Sequence, residues 1–106
     1  MSGSRTITGD EDRLDNVHPG DILREDYLIG SEIPVEEVAD GAGLDIGQLN
    51  AILAGDRPVD ANVDIRLARY FGISEGFFLG LQIDYDLEDV RRASGPELDK
   101  ISKRAA

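Results

Sequence analysis

The sequence predicts an all-α domain of five helices built around a helix-turn-helix, and three observations carry that reading. Val35, Val38, Ala39 and Ala42, and then Leu49, Ile52 and Leu53, recur at three- and four-residue spacing, which lines one face of a helix. The two segments meet across Gly43, a residue that ends a helix in the left-handed conformation. Leu44 then points back to the core, and Asp45 with Gln48 has the spacing of a capping box for a new helix. Segments on either side repeat the helical spacing between proline and glycine stops.

A chain of 106 residues supports one domain with one modest core, small enough that dimerisation would help it. The apolar share of 41% suits a globular chain, and 31% charged residues predict a solvated surface. No apolar run is long enough to span a bilayer, and the amino terminus lacks the apolar core of a signal peptide, so cytoplasm is the expected location. The absence of cysteine excludes disulfides and thiolate metal sites.

Residues 1–17 are polar and acidic with no helical stripe and read as a flexible arm, in which Ile7, Leu14 and Val17 are the residues able to dock locally. The domain proper spans 18–93. Pro19 fits the first turn of helix one and Asp21 favours the positive end of its dipole. Ile22, Leu23, Tyr27 and Leu28 form its buried stripe, and Gly30 and Ser31 close it. His18, the only histidine, reads as a cap or surface group rather than a catalytic base. Pro34 restarts the chain into the helix-turn-helix. After the turn 55–60, Asp60 is placed to cap helix four, in which Ala61, Ile65, Ala68 and Phe71 line up inward with Leu67 beside them. Arg66 and Arg69 lie on other faces as solvated arginines. Gly72 ends that helix and Ser74 caps the fifth, which runs to about Ala93. Ser94, Gly95 and Pro96 break it, leaving 94–106 as a flexible basic tail.

A helix pair joined by a glycine turn is common in small α-proteins, so the wider pattern has to decide its use. Val35-Glu-Glu-Val-Ala, followed by Leu44-Asp-Ile-Gly-Gln-Leu-Asn-Ala-Ile-Leu-Ala-Gly55-Asp-Arg-Pro-Val, resembles the lambda-repressor-like domain of the XRE-type HigA antitoxins, or plasmid maintenance antidote proteins. The flanks are similar too: His18-Pro-Gly-Asp-Ile-Leu23 at the start, then Ile65-Arg-Leu-Ala-Arg-Tyr-Phe-Gly72, Phe77-Phe-Leu-Gly-Leu-Gln82 and Tyr85-Asp-Leu87. The likeness covers residues 18 to about 93 with several motifs in order. It implies a DNA-binding repressor of its own operon that neutralises a ribonuclease toxin. It also implies a homodimer made partly by helix five, where Phe77, Phe78, Leu79, Leu81 and Ile83 carry more apolar surface than one small core absorbs.

In a helix-turn-helix the second helix enters the major groove with its early residues at base edges. With Leu44, Leu49, Ile52 and Leu53 inward, the outward set is Asp45, Ile46, Gly47, Gln48, Asn50 and Ala51. Gln48 and Asn50 have the amides that bond adenine bidentately, and Ile46 or Ala51 suits a thymine methyl. The expected target is a double-stranded operator with an inverted repeat. Arg57, in the following turn, is the best phosphate anchor, with Arg24 and Arg69 as helpers.

The net charge of −11 sits awkwardly with a polyanionic partner. Between residues 34 and 73, Glu36, Glu37, Asp40, Asp45, Asp56, Asp60 and Asp64 face only Arg57, Arg66 and Arg69. Departures from the family pattern fall at contact positions: Val35, Asp45 and Asp56 replace glutamine, a hydroxyl residue and lysine, and Ile46 and Ala51 stand where arginine is frequent. Screening over roughly 8 to 10 Å lets a local cation act despite acids elsewhere. An acidic chain also suits a basic toxin. A second class of function therefore stays open, a helix-turn-helix domain that binds protein and has weak or lost DNA affinity. An enzyme is disfavoured by the lack of cysteine, of a paired histidine and of a phosphate loop, and nothing suggests a metal or other cofactor.

Overall fold

In a computed structural model of the protein, which describes residues 15–105, five helices follow one another without a strand among those residues. Helix α1 begins as Pro19–Ile22 and continues in wider π-type turns over Leu23–Ile29; α2 is Val35–Ala42, α3 Ile46–Leu53, α4 Ala61–Phe71 and α5 Phe77–Leu98.

The local punctuation forms as the residue types dictate. His18 caps α1, its Nδ1 accepting the Gly20 N–H at 2.9 Å, and its ring is buried edge-on against Tyr85 rather than at the surface. The π turns of α1 show in the Gly30 N–H, which donates to the Glu25 carbonyl five residues back. They bring Leu23 and Leu28 into the core together. Gly43 ends α2 at φ 68°, after which the Leu44 N–H bonds the Ala39 carbonyl and its side chain is buried. Asp45 and Asp60 cap α3 and α4, accepting the N–H of Gln48 at 3.0 Å and of Val63 at 2.9 Å.

The core lies where α2, α3 and α4 meet under the first turns of α5. Val38, Leu49, Ile52, Val63, Leu67 and Phe78 have no exposed surface. Phe78 is the largest of them, and a side chain of that kind contributes about 2 to 3 kcal/mol on burial. Around it Tyr27 lies 5.2 Å away centroid to centroid, and Phe71 is 5.0 Å from Tyr27. Gly20 is buried where α1 meets α3, and a Cβ there would stand 1.9 Å from the Ile52 carbonyl oxygen, so no other residue permits this approach.

Three expectations are corrected. In α4 the inward residues are Val63, Asp64, Leu67 and Ala68; Ala61 and Ile65 are exposed, and Phe71 is half-buried. The reason is Asp64, a carboxylate 2% exposed that accepts the N–H groups of Gly76 and Leu79. That pairing turns a charged residue to the inside and rotates the apolar stripe with it. It also replaces Ser74 as the cap of α5: Gly76 occupies the N-cap position without a side-chain bond of its own, and Asp64 serves the first turn from the neighbouring helix. Finally, α5 breaks after Ala93 as expected, but the residues beyond the break are not all an irregular tail. Ser94 leaves helical geometry at φ −124°, ψ 21°, yet Pro96 starts a further turn that reaches Leu98, because proline fits an opening turn that needs no N–H.

Of the arm expected over 1–17, residues 1–14, with Ile7 and Leu14, lie outside the described residues. Asn16 donates from Nδ2 to the Tyr85 carbonyl at 2.9 Å, and Val17 is exposed. Among the described residues no helix is long and apolar enough to cross a membrane.

Candidate nucleic-acid interface

Helix α3 presents its outer face as the pattern predicts. Leu49 and Ile52 are fully buried and Leu53 nearly so, which leaves Asp45, Ile46, Gly47 and Asn50 exposed, with Gln48 and Ala51 half-buried. Asp45 and Gln48 lie together at the start of the helix, Asn50 lies on the other side of its outer surface, and Ile46 is 41% exposed. The capping box is one-sided. Asp45 accepts the Gln48 N–H, whereas the Gln48 side chain has no hydrogen-bond partner among the described residues, so its amide is available to a base edge.

The cations divide differently from expectation. Arg57 is exposed in the turn after α3 and pairs with nothing among the described residues. Arg24, expected as a helper, is occupied: Nη1 donates to the Leu53 carbonyl at 2.8 Å, Nη2 meets Asp21 at 3.2 Å and Nε meets Glu25 at 3.1 Å. Glu25, then Asp21, raises the pKa of this guanidinium above that of an ordinary arginine. Arg24 thus closes the carboxyl end of α3 rather than waiting for a phosphate. Arg69 meets Glu75 at 2.8 Å, although its side chain remains mostly in solvent. Arg66 is exposed as expected, but Nη1 also reaches the Ala42 and Gly43 carbonyls, both at 3.3 Å, and caps α2 from α4. Asp64, counted among the repelling acids, is buried and paired with the N–H groups at the start of α5.

Tyr70 fixes α4 to α2 at a second point through a 3.3 Å bond from its hydroxyl to Glu37. Partial burial, and then the Glu37 carboxylate, raises the pKa of its phenol above the ordinary tyrosine value.

The face expected for a second subunit is also redistributed. Phe78 is fully buried in its own protomer and offers nothing to a partner. Leu79 and Leu81 are half-buried, Leu81 against the core. Phe77 and Ile83 are exposed at 42% and 51%. Ile83 is the first of a stripe that continues through Leu87 and Val90, each about half exposed. Their i, i+4, i+7 spacing was there to be read in the sequence. Among the described residues no three His, Cys, Asp or Glu side chains come together as metal ligands do.

The comparisons with known proteins bear on this geometry. No family model matches the chain. Virulence-associated protein I of Dichelobacter nodosus is 31% identical over 83 residues, which cover 78% of this chain and 77% of that protein. The structure of the antitoxin HigA of Pseudomonas aeruginosa with the higBA promoter superposes at a TM-score of 0.80 with 30% identity, covering 86% of this chain and all of that one. The chain belongs to the HigA antitoxin family. A HigA-family addiction module antidote protein from Coxiella burnetii is similar as well, at a TM-score of 0.79 and 29% identity over 87% of this chain and all of that one. The all-helical, lambda-repressor-like architecture read from the sequence is the architecture these HigA structures share with this chain.

Proposed function

We propose that this HigA-family chain is a DNA-binding antitoxin that represses its own operon and neutralises a basic ribonuclease toxin, acting in the cytoplasm as a homodimer with no catalytic role. The observation that carries the DNA reading is the outer face of α3, which presents the Gln48 amide, unpaired among the described residues, and exposed Asn50, and is followed by a turn in which Arg57 is exposed and has no partner among those residues. A helix N-terminus bearing two such amides suits the major groove, and the arginine suits a flanking phosphate. The relative solved with promoter DNA supports the same use. The stripe of Ile83, Leu87 and Val90 supports a two-fold pairing through α5. Such a dimer places its two α3 helices roughly 34 Å apart on an inverted repeat.

The deciding experiment is gel retardation with duplex taken from upstream of the chain's own gene, against a random duplex of equal length. Selective retardation supports the reading. The scarcity of free cations favours a second reading, a protein-binding domain with little DNA affinity. Equal or no retardation, together with capture of the neighbouring gene's product, establishes that one instead.

A further inference from the structure

Gln82 interrupts the pattern of α5. It sits one turn beyond Phe78 on the core side, where an apolar residue is expected, and is 4% exposed. An amide at that depth costs stability unless its polar atoms are paired. Both are paired: Oε1 accepts the Val59 N–H at 2.8 Å, and Nε2 donates to Asp86 Oδ1 at 2.9 Å. Val59 is itself 2% exposed, so water cannot replace Gln82 as the acceptor. This bond ties the second turn of α5 to the turn that follows α3.

Arg57 stands two residues before Val59 in that turn, with Pro58 restricting the backbone between them. Tyr85 and Asp86 of α5 line a cleft of about 240 Å³ together with Arg57, Pro58 and His18. The turn is therefore mounted on α5 as well as on the helix it follows.

We propose that Gln82 is a positioning residue for DNA binding: through the Val59 N–H it holds the turn 55–60 so that Arg57 is aimed at a phosphate. Gln82 touches no DNA. The inference rests on the DNA-binding reading above and adds a second task to α5. A turn already ordered loses less entropy when its arginine meets a phosphate, whereas a loosened turn keeps the charge and loses its direction.

The test uses the full chain and fluorescence anisotropy on the upstream and random duplexes. Gln82→Met, close in volume, should weaken binding to both about fivefold, the scale of one lost hydrogen bond, and should speed exchange of the Val59 amide. In an Arg57→Ala background the same substitution should change binding by less than about twofold, because the two residues act through one contact. Pro58→Gly, exposed and outside α5, should reproduce both results. A loss that persists undiminished without Arg57 overturns the proposal, as does wild-type binding by Gln82→Met. If Gln82→Met fails to fold, Pro58→Gly decides by the same criteria. A wild-type chain that binds neither duplex overturns the DNA reading itself, a failure visible before any variant is made.

Discussion

Gln48 has two possible tasks, and the structure separates them. Its backbone N–H serves the Asp45 cap, while its side-chain amide is unpaired among the described residues. Gln48→Ala keeps the backbone bond and should leave the melting temperature nearly unchanged. Operator affinity should fall by about 1 to 3 kcal/mol, with random DNA spared, as expected when only a base contact is lost. Asp45→Ala removes the cap instead and should lower stability by about 1 kcal/mol, measured by denaturant unfolding. If Gln48→Ala lowered the melting temperature and left the operator-to-random ratio intact, the amide would not be a base reader. Arg57→Ala should weaken every duplex alike and reduce the salt slope by about one counterion. Unchanged binding to both duplexes would remove Arg57 as the anchor. Gly20 offers a sharper test of packing. Gly20→Ala drives a methyl into the Ile52 carbonyl and should cost about 2 kcal/mol or more, read from thermal unfolding, with α3 displaced in the protein that still folds.

Among the elements, α2 and α3 were legible in the sequence because their signals are local. Gly43, Asp45 and the spacing of Leu49, Ile52 and Leu53 each act within a few residues of where they stand. What escaped was non-local. Asp64 looks like a surface acid until the N–H groups of Gly76 and Leu79 are brought beside it, and no pattern within α4 announces that meeting. Arg24 and Arg66 look like free cations for the same reason, since the carbonyls they bind belong to other helices. The exposed face of α3 was therefore recoverable from sequence, whereas the allocation of cations around it was not. Asp64→Ala leaves two N–H groups at the start of α5 without their acceptor. It should cost about 3 kcal/mol and fray the first turn of α5, visible as faster amide exchange at Leu79. Exchange at Leu79 unchanged from wild type would show that another group caps this helix.

At the scale of the whole molecule, association should depend on the later turns of α5 and folding on its first. Leu87→Glu places a charge in the middle of the exposed stripe and touches no core residue. Light scattering should show a monomer, with circular dichroism unchanged, and affinity for an inverted repeat should fall with the loss of the second reading helix. A dimer mass retained by Leu87→Glu would move the interface elsewhere. The net charge of −11 adds a dependence on ionic strength beyond counterion release, since the acidic remainder of the chain repels the duplex at long range when salt is low.

If the proposed dimer forms, the division of α5 between its buried first turns and its exposed stripe would set how the protein responds to its own abundance. With Phe78 buried in the core, separation of the proposed dimer would expose Ile83, Leu87 and Val90 without opening that core, and a dilute chain would be a folded monomer carrying an uncovered apolar stripe on α5. Such a helix, kinked at Ser94 and lacking cover, is where a protease would first cut. Scarcity would then shorten the lifetime of each remaining copy and abundance would lengthen it, a mass-action feedback set by which turns of a single helix face inward.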